Sequence, residues 1–170
     1  MSVLPPHISA LAQQVVEAAA SQRLTIATAE SCTGGLVSAA LTDIPGCSAV
    51  FNRGYVTYAN IAKGEMIGVP LALLGQHGAV SEPVARAMAE GALHAARADL
   101  AVSITGIAGP GGGSEQKPVG TVHFGCAVRG KPTLHVHQHF MGDRSAIRLA
   151  AVEQALTLLG DVLTTATIAR

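Results

Sequence analysis

The chain has 170 residues, and its 11 lysines and arginines balance 11 acidic residues, so the formal net charge is zero. Binding to nucleic acid through a broad basic surface needs clustered Lys and Arg, so this balance argues against a nucleic-acid partner. No apolar segment reaches the roughly 18 residues that span a bilayer, and no signal-peptide pattern opens the chain. We therefore expect a cytoplasmic protein that does not enter a membrane.

Length and composition favour a single domain over residues 1–170, large enough to bury a core without metal or disulfide bonds. The three cysteines, Cys32, Cys47 and Cys126, form no CxxC pair and leave an odd count. A disulfide framework is therefore not expected, which fits a reducing compartment.

The first half of the chain alternates between helical and strand patterns. In order, the patterns predict a helix over 5–22, a strand over 24–29, a helix over 34–42, a strand over 48–58 and a helix over 61–67. A further helix begins near Ser81, the predicted N-cap, and runs to about Ala96.

The second half is predicted to contain three strands and a final helix. The strands cover 100–105, 120–128 and 133–140, and the helix covers 143–165. Residues 129–132, RGKP, indicate a hairpin between the last two strands. Early alternation and a late hairpin predict an α/β fold, a three-layer α/β/α sandwich with a mixed, mostly parallel sheet.

Residues 25–36, TIATAESCTGGL, join an apolar strand pattern directly to a helical pattern. Free N–H groups at a helix N-terminus favour negative charge, so this turn suits a phosphate or a developing oxyanion. Ser31 is then a helix N-cap, a phosphate ligand or a nucleophile. Cys32 is a competing nucleophile, because a helix N-terminus lowers the pKa of a thiol. The turn lacks the G-x-S-x-G pattern of the α/β-hydrolases.

A second group of candidates follows the strand predicted over 48–58. Lys63 lies about one turn into the next helix, and a buried lysine beside a serine can act as a general base. The Tyr58 hydroxyl can relay a proton or donate to an oxyanion. The alternative is that Lys63 is a solvated helix residue and Tyr58 a packed aromatic.

A glycine-rich loop, GIAGPGGG at 106–113, follows the strand predicted over 100–105. If this strand and the one over 24–29 run parallel in the centre of the sheet, the loops after them converge on one pocket. The loop lacks the Gly-Lys-Ser/Thr ending of a Walker A motif, because Lys117 is followed by Pro118, so an ATPase is excluded.

Two further patterns concern metals and phosphates. His135, His137 and His139 share one face of a predicted strand, where alternating histidines either bind a metal or belong to a polar sheet face or an edge strand. Arg144 and Arg148 are spaced i, i+4 at the start of the last helix and either clamp a phosphate or are solvated.

Six segments together resemble the C-terminal domain of the CinA (competence/damage-inducible protein) family, whose members include nicotinamide mononucleotide deamidases. They occur in one order across nearly the whole chain: AESCTGG at 29–35, FNRGYVTYANIAK at 51–63, GAVSEPVA at 78–85, SITGIAGPGG at 103–112, PVGTVHFG at 118–125 and GDRSAIR at 142–148. The set is more specific than any one segment.

The resemblance implies an amidohydrolase of pyridine-nucleotide salvage that converts nicotinamide mononucleotide to nicotinate mononucleotide and ammonia. It implies no cofactor and no metal, and it makes a homodimer plausible. The family's motif residues fall on four positions that we expect to be catalytic: Ser31, Lys63, Tyr58 and Thr105. We expect the substrate to be bound by Glu30, Cys32, Thr33, Gly34, Gly35, Gly106, Gly109, Arg144 and Arg148.

In this hypothesis, backbone N–H groups of residues 32–35 hold the oxyanion with help from Thr105, and Tyr58 passes a proton to ammonia. Arg144, Arg148 or the amides of Gly34 and Gly35 hold the phosphate. One alternative is a pyridine-nucleotide-binding module without turnover, which the same loops would serve. Another is a metal-dependent hydrolase at the histidine strand.

Overall fold

The computed structural model describes residues 3–165, which form a five-stranded sheet between two layers of helices. Within the described residues, six α-helices surround the sheet: α1 (Pro6–Gln22), α2 (Leu36–Thr42), α3 (Asn60–Ile67), α4 (Leu71–His77), α5 (Glu82–Ala96) and α6 (Arg144–Thr165). The strands are β1 (Ile26–Glu30), β2 (Phe51–Val56), β3 (Leu100–Gly106), β4 (Thr121–Val128) and β5 (Leu134–His139). The three-layer α/β fold predicted from the sequence is confirmed.

The strand order is β2-β1-β3-β4-β5. β1 pairs in parallel with both β2 and β3, whereas β4 is antiparallel to β3 and β5. Four of the five strands therefore point in one direction. The central strands β1 and β3 are almost wholly buried, as expected for strands covered on both faces.

Each face of the sheet has its own apolar layer. Helices α1, α2 and α6 pack on one face, against the side chains of Ile26, Val102 and Phe124. On the opposite face, Ala27 and Ala101 of the sheet lie beneath α3, α4 and α5. The small alanines let α5 lie close to β1 and β3.

The structure differs from the sequence prediction in three places. Helix α4 was not predicted, although Leu74 packs into the core from it. The strand predicted over 48–58 is shorter, because Cys47–Ala49 form a 3-10 helix. Ser81 occupies the N-cap position of α5, but its hydroxyl donates to the Gly78 carbonyl and does not cap the helix.

The register of the central strands places the two candidate loops side by side. Glu30, the last residue of β1, pairs with Ile104 of β3, and the Ser31 N–H donates to the Ile104 carbonyl at 3.0 Å. The loops that follow β1 and β3 therefore converge at one edge of the sheet, as predicted. This edge is the usual ligand site of an open α/β sheet.

No helix within residues 3–165 is both long and apolar enough to cross a membrane.

Candidate active site

Ser31 begins a tight turn between β1 and α2. Helix α2 starts only at Leu36, and its N-cap position is Gly35, whose φ of 99° lies in the left-handed region. Gly34 also has a positive φ, 61°. Glycine adopts this conformation without the Cβ penalty that other residues incur. The prediction that Ser31 caps the helix is therefore wrong, because the serine lies several residues before the helix starts.

Lys63 extends from α3 into the interior and reaches Ser31. Its side chain is 1% exposed, and its Nζ donates to Ser31 Oγ at 3.2 Å. Two carbonyl oxygens complete its contacts, those of Thr57 at 2.8 Å and Tyr58 at 3.2 Å. The alternative of a solvated surface lysine is therefore wrong.

Burial lowers the pKa of Lys63 below the usual value for a lysine, because desolvation disfavours the ammonium form. The nearby Cys32 thiol exerts a smaller effect in the opposite direction. A lysine with a lowered pKa next to a hydroxyl has the properties of a general base.

Cys32 is buried and does not compete with Ser31. Burial raises the pKa of its thiol to about 11, which outweighs the smaller lowering by its own backbone N–H and by the arginines. The expected lowering of this pKa by the start of α2 is wrong. The thiol remains protonated near neutral pH and is therefore a poor nucleophile.

Glu30 is also fully buried and is not free to bind a substrate. Its Oε2 accepts from the N–H groups of Gly35 at 3.0 Å and Val37 at 3.1 Å. Its Oε1 accepts from the N–H and hydroxyl of Ser38, both at 2.8 Å. The positive end of α2 is therefore already occupied by a carboxylate of the chain itself.

The amides of Gly34 and Gly35 are likewise used inside the turn. The Gly34 N–H donates to the Ser31 carbonyl at 3.1 Å, and the Gly35 N–H donates to Glu30. The expectation that these two amides hold a phosphate is therefore wrong. The N–H groups of Cys32 and Thr33 have no oxygen acceptor within residues 3–165, so they are the turn's available donors.

Thr105 lies beside Ser31 but has a structural bond of its own. Its hydroxyl donates to the Ala79 carbonyl at 2.8 Å, which fixes the segment before α5. Its proton is engaged in that bond, so the Thr105 hydroxyl would have to leave Ala79 in order to donate to an oxyanion. Beyond it, Gly106 lies so close to β4 that a Cβ would come within 2.7 Å of the Val122 side chain.

The two arginines of α6 have different surroundings. Arg148 is half-buried, and its Nε and Nη2 donate to the carbonyls of Cys32 and Thr33, both at 3.0 Å. Arg144 is exposed, and its guanidinium donates to the Gly109 carbonyl at 2.8 Å and the Tyr58 hydroxyl at 3.3 Å. Arg144 thus connects the segments that follow β2 and β3.

Tyr58 contributes through two of its atoms. Its carbonyl accepts from Lys63, while its side chain is 60% exposed and its hydroxyl faces Arg144. The alternative of a packed aromatic is therefore wrong, and the hydroxyl is bonded to neither Ser31 nor Lys63 in the described part of the chain.

Two buried hydroxyls next to Ser31 and Lys63 have no hydrogen-bond partner among residues 3–165. They are Thr33 Oγ1, in the Ser31 turn, and Thr57 Oγ1, beside the carbonyl that binds Lys63. A buried hydroxyl without a partner costs about 1–3 kcal/mol. Both groups are therefore available to a water or a bound ligand.

The three histidines predicted to share one face have different neighbours in the structure. His137 pairs with His123 of β4, and the two rings stack with centroids 4.4 Å apart. Nδ1 of His123 lies 2.9 Å from Nε2 of His135, while His139 instead contacts the Val119 carbonyl. We call His123, His135 and His137 the histidine cluster. Among residues 3–165, no group of three or more His, Cys, Asp or Glu side chains is arranged to bind a metal.

The sequence does not single out His123, because it is an isolated histidine in a strand pattern. Burial, followed by repulsion from its neighbours, lowers the pKa of His123 to about 4. Burial also lowers the pKa of His135, although Glu82, 3.5 Å away, acts in the opposite direction.

The fold and this geometry define a three-layer α/β protein with a half-buried serine in contact with a buried lysine at the carboxyl edge of its central strands. Residues 8–163 match the sequence profile described as the CinA C-terminal domain. The chain belongs to the CinA C-terminal domain family, as its motifs indicated.

Similar proteins cover nearly the whole chain. Nicotinamide-nucleotide amidohydrolase PncC of Escherichia coli (strain K12) is 56% identical over 149 residues, 88% of this chain and 90% of the relative. A CinA-like protein of Akkermansia muciniphila is 52% identical over 159 residues, 94% of this chain but 38% of that longer protein. The crystal structure of competence/damage inducible protein CihA from Agrobacterium tumefaciens matches with a TM-score of 0.94 and 48% identity, covering 97% of this chain and 100% of that one.

Proposed function

We propose that this chain hydrolyses the carboxamide of nicotinamide mononucleotide to nicotinate mononucleotide and ammonia, with Ser31 as nucleophile and Lys63 as general base. Relatives from Escherichia coli and Enterobacter agglomerans are named nicotinamide-nucleotide amidohydrolase, which supports an amidase of the same substrate class. The observation that carries the mechanism is the 3.2 Å contact between Nζ of the buried Lys63 and Oγ of the half-buried Ser31.

The surroundings of Lys63 suit a neutral amine as well as an ammonium ion. A neutral amine has two N–H bonds and one lone pair. The carbonyls of Thr57 and Tyr58 accept the two N–H groups, so the lone pair faces Ser31 Oγ. In this state Lys63 accepts the hydroxyl proton of Ser31.

The first half of the reaction forms an acyl-enzyme. Ser31 Oγ attacks the carboxamide carbon, its proton moves to Lys63, and the carbonyl π electrons move onto oxygen. The N–H groups of Cys32 and Thr33 stabilise this oxyanion, and one such donor typically contributes about 10²–10³-fold in rate. The C–N bond then breaks, and Lys63 returns the proton to the departing ammonia.

In the second half of the reaction, water is the attacking group and Ser31 is the leaving group. Lys63 accepts a proton from a water molecule, the resulting hydroxide attacks the acyl carbon, and the ester bond to Ser31 Oγ breaks. Ser31 recovers its proton from Lys63, and the acid product releases the other proton of the water to solvent and leaves as the nicotinate carboxylate. Lys63 is thus the proton carrier in both halves, because its Nζ contacts Ser31 whereas the Tyr58 hydroxyl faces Arg144.

Arg144 is the arginine best placed for the substrate phosphate. It is exposed beside the site, and three of its five N–H groups have no partner among residues 3–165. A guanidinium binds phosphate through paired N–H donors. The exposed ring of Tyr58 forms the neighbouring wall, and the unpartnered Thr33 hydroxyl can contact the substrate from the turn.

The test is ammonia release from nicotinamide mononucleotide, together with a panel of pyridine nucleotides and simple amides. Wild type is expected to release ammonia, Ser31→Ala to lose at least about 10³-fold in kcat, and Cys32→Ala to keep most activity. Full activity of Ser31→Ala would remove the serine from the mechanism. Tight binding of the mononucleotide with no ammonia at high enzyme concentration would instead indicate the non-catalytic binding module.

A further inference from the structure

The direction of the Cys32–Thr33 peptide decides where one oxyanion donor points. In a trans peptide, the carbonyl of one residue and the N–H of the next point in opposite directions. Arg148 Nε donates to the Cys32 carbonyl at 3.0 Å. The Thr33 N–H therefore points away from Arg148 and from the helix that carries it.

The following peptide behaves in the same way. Arg148 Nη2 donates to the Thr33 carbonyl at 3.0 Å. The Gly34 N–H correspondingly points to the opposite side, where it donates to the Ser31 carbonyl at 3.1 Å. One planar guanidinium thus fixes two successive peptides, a geometry that the compact ammonium of a lysine does not reproduce.

Glu30 fixes the other end of the same turn. Its buried carboxylate accepts three backbone N–H groups and one hydroxyl from residues 35–38, at 2.8–3.1 Å. A buried carboxylate is tolerated only when its oxygens are hydrogen-bonded in this way. Because Glu30 directly precedes Ser31, these bonds join the end of β1 rigidly to the start of α2.

We propose that Arg148 and Glu30 are positioning residues that aim the Thr33 N–H at the oxyanion, and that Arg148 does not hold the substrate phosphate. This inference rests on the proposed function. A donor that is aimed wrongly stabilises the transition state less but leaves ground-state binding intact. Loss of either residue should therefore lower kcat with little change in KM.

The first experiment compares Arg148→Lys with the matched variant Arg144→Lys, on nicotinamide mononucleotide and on nicotinamide riboside, which lacks the phosphate. Arg148→Lys is expected to lower kcat at least about tenfold on both substrates, with KM within about twofold. Arg144→Lys is expected to raise KM for the mononucleotide alone. An Arg148→Lys variant with normal kcat, or with a raised KM for the mononucleotide only, would overturn the proposal.

A second readout does not depend on the substrate. A fluorophosphonate labels an active serine through a step in which its phosphoryl oxygen gains negative charge, so labelling of Ser31 should be about tenfold slower in Arg148→Lys and in Glu30→Gln. Ser31→Ala is the blank, and thermal melting verifies that each variant is folded. Labelling at the wild-type rate would overturn the positioning roles.

The two readouts separate the failure of this inference from the failure of the proposed function. If wild type is labelled but releases no ammonia, and Arg148→Lys slows the labelling, the proposed substrate is wrong and the positioning stands. If wild type is neither labelled nor active, both proposals fail.

Discussion

The Ser31–Lys63 pair and the histidine cluster both bring titratable side chains within contact, but their chemistry differs. Lys63 contacts groups that are not themselves basic side chains, one hydroxyl and two backbone carbonyls. Each N–H group of its ammonium form therefore has an acceptor. The histidines meet one another, with rings stacked at 4.4 Å and 5.1 Å. The first arrangement places a basic nitrogen next to a hydroxyl, which is the pairing that activates a serine as a nucleophile. Proximity of titratable groups alone does not define an active site.

The largest expected effect tests the lysine directly. Lys63→Met keeps the length of the side chain but removes the base, so kcat/KM should fall by about 10²–10⁴-fold. Lys131→Met, which changes an exposed lysine in the β4–β5 hairpin, is the matched control and should retain activity. The measurement is ammonia release with thermal melting of both variants; a Lys63→Met variant that melts normally and keeps a tenth of the activity would contradict the assignment.

The pH dependence of kcat/KM should also follow the lysine. The base acts only when neutral, so kcat/KM should rise about tenfold per pH unit up to the pKa of Lys63, which burial places below the ordinary lysine value. His137→Gln should leave this curve unchanged. A curve that flattens instead near the usual histidine pKa, and shifts in His137→Gln, would transfer the base to the histidine cluster.

A smaller effect is expected from the packing behind Lys63. Gly91 of α5 lies so close to α3 that a Cβ would overlap the Ile67 carbonyl oxygen, whereas a Cβ at Gly75 of α4 has open space. Gly91→Ala should lower stability by about 1–3 kcal/mol and displace Lys63, reducing kcat several-fold. Gly75→Ala should be neutral or slightly stabilising. Equal melting temperatures and rates for the two variants would show that this close approach is unimportant.

The smallest effect belongs to the histidine cluster and concerns stability in acid. The pKa of His123 is about 4 in the folded chain and near 6.5 in an unfolded one. Between these values the unfolded state binds more protons, so stability is full above about pH 6.5 and falls as the pH drops toward 4. In His123→Gln, the melting temperature should fall by a few degrees less than in wild type between about pH 6.5 and pH 4. The kcat at neutral pH should be unchanged.

A steep loss of ammonia release in His123→Gln at neutral pH would contradict this separation of the two regions. An identical decline in acid for wild type and variant would instead place the proton-sensitive group elsewhere.

Much of the site's location could be predicted from the sequence. Two apolar strand patterns each end in a polar or glycine-rich loop, and parallel neighbours in a sheet bring such loops together. This prediction depends only on strand identity and direction, which strongly apolar segments specify well. The motif resemblance then selected the catalytic interpretation of Ser31 and Lys63 from the alternatives that the residues left open.

The partners of individual polar atoms could not be predicted in this way. Glu30 and Arg148 were expected to bind substrate, yet their bonds go to backbone groups of the Ser31 turn. A sequence shows that a carboxylate or guanidinium is present, but the choice between substrate and backbone depends on atomic distances. Thr105 is a similar case, because its acceptor Ala79 belongs to a loop 26 residues away.

The histidine cluster shows how sensitive such predictions are to strand register. Joining the predicted strands directly across the four-residue turn would pair His123 with Gln138, whereas the observed partner is His137. A shift of one residue moves a side chain to the other face of a sheet. The histidine cluster therefore cannot be predicted from the sequence until the geometry of the turn is known.

The three acceptors around Lys63 have a consequence for behaviour in acid. An ammonium ion has three N–H groups, and three oxygens already surround Nζ, so the protonated lysine fits the same cage as the neutral amine. Protonation of Lys63 in acid would then stop catalysis without rearranging the interior of the protein. Activity would return as fast as the proton leaves when the pH is raised again. Lys63 can thus lose and regain its function as a base without moving its side chain.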